Sequence, residues 1–289
     1  MITIDELGEV RAHEPERIAQ VLRDRPRGTM PQAGDAKLMI IAADHPARGA
    51  LAAGTDPSAM ADRPDLLARC VEALSRPGVH GFLGTADIVE ELALLGALDG
   101  KLVYGSMNRG GLAGARFEMD DRFTGYDARG VADAGLNGGK MLMRIDFDDP
   151  GTIRTIEACA QAVDELATQR FMAMVEPFIS RRVDGKVRSD LTPDAIIRSI
   201  GIASGLGRTS AYTWLKLPCV PEMERVMAAS TMPVLLLGGE VSADPYAALA
   251  GWAKALALPT VRGLAIGRSL LYPPGGDVAV AVDNAVGLL

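Results

Sequence analysis

Short apolar runs recur along the chain, each ending in polar or glycine residues and each followed by a stretch of helical period. They cover Leu38–Ala43, Val79–Leu83, Lys101–Tyr104, Lys140–Ile145, Phe171–Val175, Tyr212–Leu217, Pro233–Leu237 and Val261–Ile266. Their apolarity is continuous rather than alternating, which marks strands covered on both faces. Between them, Pro64–Leu74, Ile153–Thr168, Asp194–Gly205, Glu222–Ala229 and Tyr246–Leu256 carry apolar residues at helical spacing. Eight strand–helix repeats predict an α/β protein built as a single (β/α)8 TIM barrel. An open doubly wound sheet would fit the alternation nearly as well. Its glycine fingerprint is missing after the first strand, where Asp44–Gly49 stands instead.

The barrel is expected over 36–289, preceded by an N-terminal helical extension over 1–35. Within that extension Ile4–Leu22 can form one amphipathic helix, closing the barrel bottom or packing on a neighbouring subunit. Asn108–Gly130 and Ile179–Thr192 read as long loops at strand C-termini, either lids over an active site or surface excursions.

Composition narrows the class. A chain of 289 residues that is 48% apolar but only 4% aromatic builds one large core from Ala, Val, Leu, Ile and Met. A formal charge of −7, with 30 basic residues spread among 37 acidic ones, argues against a nucleic-acid partner. Cys70, Cys159 and Cys219 form neither a disulfide framework nor a metal knuckle, as suits a reducing cytoplasm. The charged N-terminus is unlike a signal peptide, and no apolar run is long enough for a membrane span. A cytoplasmic homo-oligomer without membrane contact is the expectation.

Polar residues at the C-terminal ends of barrel strands converge on one centre. Here they are Asp44, Arg144, Asp146, Glu176, Lys216, Gly238, Gly239, Glu240, Gly267 and Arg268. Lys216 lies in an otherwise apolar strand, where desolvation favours the neutral amine that attacks a carbonyl. Lys140 opens the fourth run with Arg144 on the same side; it is either a second cation that keeps Lys216 neutral or a lysine snorkelling at the bottom rim. Glu176 ends a very apolar strand, as a proton shuttle or as an ion-pair partner of Lys140 or Arg144. Asp44 can accept from substrate hydroxyls, orient a lysine or cap a turn. Gly238 and Gly239 after the seventh strand, with Gly267 and Arg268 after the eighth, form the phosphate seat common in such barrels. The histidines are His13, His45 and His80, too few and too scattered for a zinc site, so no metal and no cofactor is expected. No Gly-x-Ser-x-Gly elbow is present.

At these residues the sequence resembles the class I aldolases grouped with deoxyribose-phosphate, archaeal-type fructose-bisphosphate and tagatose-bisphosphate aldolases. The likeness runs from Ile40 to Leu270 and is carried by Ala43-Asp44-His45, Val175-Glu176-Pro177, Trp214-Leu215-Lys216 and Pro233–Gly239. Lys140 matches a strand-four lysine of the tagatose-type enzymes. Arg144-Ile145-Asp146 replaces the tyrosines expected there. The resemblance implies that Lys216 forms an iminium with the ketone carbon of dihydroxyacetone phosphate, that Glu176 moves protons, and that Gly239, Gly267 and Arg268 hold the phosphate. As a whole the chain looks most like a barrel group whose genes accompany inositol catabolism. That implies cleavage of 6-phospho-5-dehydro-2-deoxygluconate to dihydroxyacetone phosphate and malonate semialdehyde, with Arg144 or Arg48 on the substrate carboxylate. A fructose- or tagatose-1,6-bisphosphate aldolase and a metabolite-sensing barrel without turnover are the rival readings.

Overall fold

In the computed structural model, which describes residues 2–31, 37–241 and 244–289, eight parallel strands close into a ring. They are β1 (Leu38–Ala42), β2 (Gly81–Gly84), β3 (Leu102–Ser106), β4 (Gly138–Ile145), β5 (Met172–Val183), β7 (Thr213–Pro218), β8 (Val234–Leu237) and β9 (Val261–Ile266). Each pairs in parallel with its neighbour, and the β1–β9 pairing completes the circle. The ninth strand, β6 (Lys186–Ser189), lies outside the ring and pairs antiparallel with the overhanging end of β5. This is the (β/α)8 barrel that the eight apolar runs predict.

Helix starts are written into the sequence. Asp62, Thr192 and Asp244 accept backbone N–H bonds at three starts, each with a proline in the first turn that follows, and Asp277 caps the C-terminal helix in the same way. The helices bury one face against the outside of the ring. Inside it, Leu38, Ile40, Leu83, Leu102, Tyr104, Met172, Met174 and Leu235 fill the lower layers.

Two expectations change. Ile4–Leu22 is not one helix: a 3-10 turn, Ile4–Glu6, leads into Leu7–His13, and a separate helix covers Glu16–Asp24. Pro15 forces the break, because it disfavours helical geometry at Glu14, which sits at φ −134° and ψ 46°. The segment packs beside the barrel, with Leu7, Val10 and Leu22 buried, and residues 26–30 continue across the bottom. There Met30 Sδ accepts from Tyr104 Oη in the barrel interior. The expected boundary between extension and barrel lies outside the described residues.

Ile179–Thr192 is not a loop either. β5 runs on to Val183, turns at Asp184-Gly185 and returns as β6. Both turn residues have positive φ, 50° and 76°, the geometry that fits a tight two-residue hairpin.

Candidate active site

The period-two alternation of strands decides which side chains enter the barrel. On β5, Met172 and Met174 belong to the interior core and Glu176 is the next inward position above them. On β7, Trp214 packs against that core and Lys216 stands one pleat higher. β4 begins at Gly138 rather than Lys140, because its two glycines pair with Met172 and Ala173. Lys140 is therefore an inward residue above the core and not a rim lysine.

These side chains meet. Glu176 Oε2 lies 2.7 Å from Lys140 Nζ and 3.3 Å from Lys216 Nζ. Lys140 Nζ also donates to Asp44 Oδ2 at 2.8 Å. Both lysines are only 4% exposed. Burial pushes each carboxyl towards its neutral form, but Lys140 and then Lys216 outweigh it, drawing Glu176 down to about 2 and Asp44 well below the usual carboxylate range. Burial likewise opposes the charge on Lys140, yet Asp44 and Glu176 overcome it and raise its pKa. At neutral pH the site thus holds two carboxylates and a firmly charged Lys140, with Lys216 facing one shared oxygen.

His45, which follows Asp44 in a short helical turn, reaches 3.7 Å from Asp44 Oδ1, and its buried Nδ1 has no hydrogen-bond partner among the described residues. Burial keeps it neutral, with its pKa lowered to about 3.

Above this cluster opens a cleft of about 370 Å³ lined by Lys216, Glu176, His45, Gly238, Gly239, Gly267 and Arg268. Gly267 packs so close to β1 that a side chain there would meet the Ala42 carbonyl oxygen at 2.3 Å, and Gly239 needs its positive φ of 68°. Arg268 donates to the Ala52 carbonyl at 3.3 Å and lies 3.8 Å from Glu240, while its buried Nε is unpartnered among the described residues.

Across the ring, Arg144 Nη1 pairs with Glu118 at 2.7 Å rather than with Glu176, and Arg144 lines the same cleft. Glu118 comes from the segment after β3. That segment is pinned inward: Asn108 donates to Asp121 and to the Leu142 carbonyl and accepts from Leu142 N–H. Asp146 is not part of the cleft. Its Oδ1 accepts from Asp148 N–H, in the turn that starts the helix Gly151–Thr168.

Sequence reasoning missed Glu118 as the partner of Arg144, and it missed Arg188, which the hairpin brings to the cleft wall. The Asp184-Gly185 turn signal, flanked by Val183 and Val187, could have revealed the hairpin. Nothing in the sequence marks Glu118. Among the described residues no group of three or more His, Cys, Asp or Glu side chains could hold a metal ion, and no helix is long and apolar enough to cross a membrane.

The closed ring and its surrounding helices define a TIM barrel, a fold shared with solved aldolases. An archaeal fructose 1,6-bisphosphate aldolase is 16% identical with a TM-score of 0.65, covering 94% of this chain and 98% of its own. A Schiff-base-forming fructose-1,6-bisphosphate aldolase is 17% identical at TM-score 0.63, covering 94% and 99%.

More specifically, the chain belongs to the Cgl0159-like family, whose model matches residues 36–286. The crystal structure of Cgl0159 from Corynebacterium glutamicum (Brevibacterium flavum) is 54% identical, with a TM-score of 0.95 over 100% of this chain and 98% of that one. No curated protein sequence matches the chain.

Proposed function

We propose that this barrel is a class I aldolase in which Lys216 forms a Schiff base with a phosphorylated keto substrate. One observation carries the reading: a single carboxylate oxygen, Glu176 Oε2, lies between the Nζ atoms of Lys140 and Lys216 at the floor of the cleft. Lys216 passes the proton it must lose by way of Glu176 to water in the cleft, its lone pair attacks the ketone carbon, and the carbonyl π pair moves onto oxygen, which takes up a proton. Loss of water leaves the iminium. Deprotonation of the substrate's β-hydroxyl then lets the carbon–carbon bond break, its electron pair flowing into the iminium to give an enamine and a free aldehyde. Protonation of the enamine carbon and hydrolysis release the ketone product and restore Lys216. Asp44 holds Lys140 in place, and the charged Lys140 keeps Glu176 ionised between turnovers.

Gly238, Gly239, Gly267 and Arg268 seat the phosphate, which makes the ketone fragment dihydroxyacetone phosphate. The substrate we favour is 6-phospho-5-dehydro-2-deoxygluconate, a sugar acid of inositol catabolism, ahead of a hexose 1,6-bisphosphate, since Arg144 stands where it can meet a carboxylate. A small phosphorylated carbohydrate is the partner, in a cytoplasmic oligomer.

Borohydride reduction with dihydroxyacetone phosphate tests the mechanism. The protein should gain one covalent adduct on the peptide carrying Lys216, with EDTA making no difference, and Lys216→Met should gain none. An unchanged intact mass would overturn the Schiff-base mechanism.

A further inference from the structure

We infer that the cleft is a two-ended anion receptor: the hairpin guanidinium of Arg188, together with Arg144, seats a second negatively charged group of the same ligand, opposite the phosphate seat. The inference rests on the phosphate seat proposed above and adds the far end of the ligand.

The topology separates the two ends. Around the ring the strands run β1, β2, β3, β4, β5, β7, β8, β9, so β4, which bears Arg144, lies diametrically across from β9, after which Arg268 stands. The hairpin extends the β4 side. Arg144 pairs in register with Phe178, and two residues on Ser180 pairs with Ser189, next to Arg188. Val187, Arg188, Ser189 and Phe178 accordingly share the cleft wall with Arg144. Lys216, on β7, lies between the two ends.

The cations at the far end are unequally engaged. Arg144 is paired with Glu118 through Nη1 and its Nη2 is buried beside Gly111 without a partner among the described residues, so it lines the cleft as a guanidinium held from behind. No ion pair engages Arg188 or Arg48 among the described residues. Arg48 lies in the turn after β1, close enough to Arg144 and Arg268 for its charge to disfavour both of theirs. Like charges gathered in one cleft repel one another, and an anion at each end relieves the repulsion. Arginine forks suit carboxylate and phosphate equally, so the shared chemistry is an oxyanion at each end of a phosphorylated chain.

Titration calorimetry on the full chain with three probes tests this without turnover: glucitol 6-phosphate, 6-phosphogluconate and glucitol 1,6-bisphosphate. Both probes with two anionic groups should bind at least tenfold tighter than glucitol 6-phosphate, which has one. Arg188→Gln, on an exposed hairpin, should reduce that preference to under threefold, with glucitol 6-phosphate shifting less than twofold. Arg144→Gln should act in the same way, and Arg188→Gln carries the test if removing the Glu118 partner impairs folding. A preference for one of the two-group probes alone supports the inference and identifies the far group as carboxylate or phosphate. Equal affinities for all three probes, or an Arg188→Gln loss spread evenly over them, would overturn it. The borohydride result does not enter: a chain that fails to trap at Lys216 can still show the preference for two anionic groups, and one that traps can lack it.

Discussion

His45 shows how a single side chain ties the candidate site to the stability of the fold. Its pKa falls from 6.5 to about 3 because burial excludes the charged form. As pH drops below about 6.5, the unfolded chain takes up a proton that the folded site refuses, so folding free energy is lost progressively until about pH 3. Glu176 acts in a lower window, since its pKa falls from 4.5 to about 2 and its contribution fades only below about 4.5. Urea unfolding between pH 6.5 and 4.5 should therefore show a loss of about 1–3 kcal/mol that His45→Gln largely removes. His80, whose pKa is also lowered by burial, leaves a residual slope. Superimposable pH profiles for the two proteins would refute this assignment. The residues of the site were legible in the sequence because Lys140, Glu176 and Lys216 interrupt apolar strands and Asp44 follows directly on one, where an unpaired charge is costly. Their pairing was less so: Arg144 was open to several partners, and Glu118 sits in a segment without periodic pattern.

Among the elements, strands and their order were readable because continuous apolar runs leave little choice, whereas the excursion of β5 beyond the barrel left only its turn, Asp184-Gly185, as a signal. β5 carries its pairing past the ring into arginine-rich residues, and no apolar face there announces a strand. The hairpin is nevertheless tied down. Arg182 donates to the carbonyls of Arg116 at 3.1 Å and Ala115 at 3.5 Å, linking hairpin and post-β3 segment into one rim. Arg182→Ala should free that rim without loosening the barrel. Hydrogen exchange at residues 112–120 should accelerate several-fold while β1–β5 amides within the ring keep their protection; a barrel-wide increase would show that the contact supports the whole fold.

At the scale of the molecule, closure depends on how the bottom of the ring is sealed. Arg25 is buried and donates to the carbonyls of Gly135 at 2.9 Å, Lys101 at 3.2 Å and Leu98 at 3.4 Å, joining the N-terminal segment to two barrel connections. Arg25→Met keeps the stem but strands these carbonyls, at a cost of about 2 kcal/mol. A melting temperature lowered by several degrees is expected, with Lys216 trapping intact; an unchanged melt would mean that water replaces the guanidinium.

The closed ring has no free edge, so among the described strands the open edges are those of the β5–β6 hairpin, and the outer side of β6 is one of them. Lys186 and Arg188 stand on that strand, and charges at an edge discourage strand-to-strand addition. The arginine offered to a ligand thereby also guards the molecule against aggregation, which restricts what can replace it.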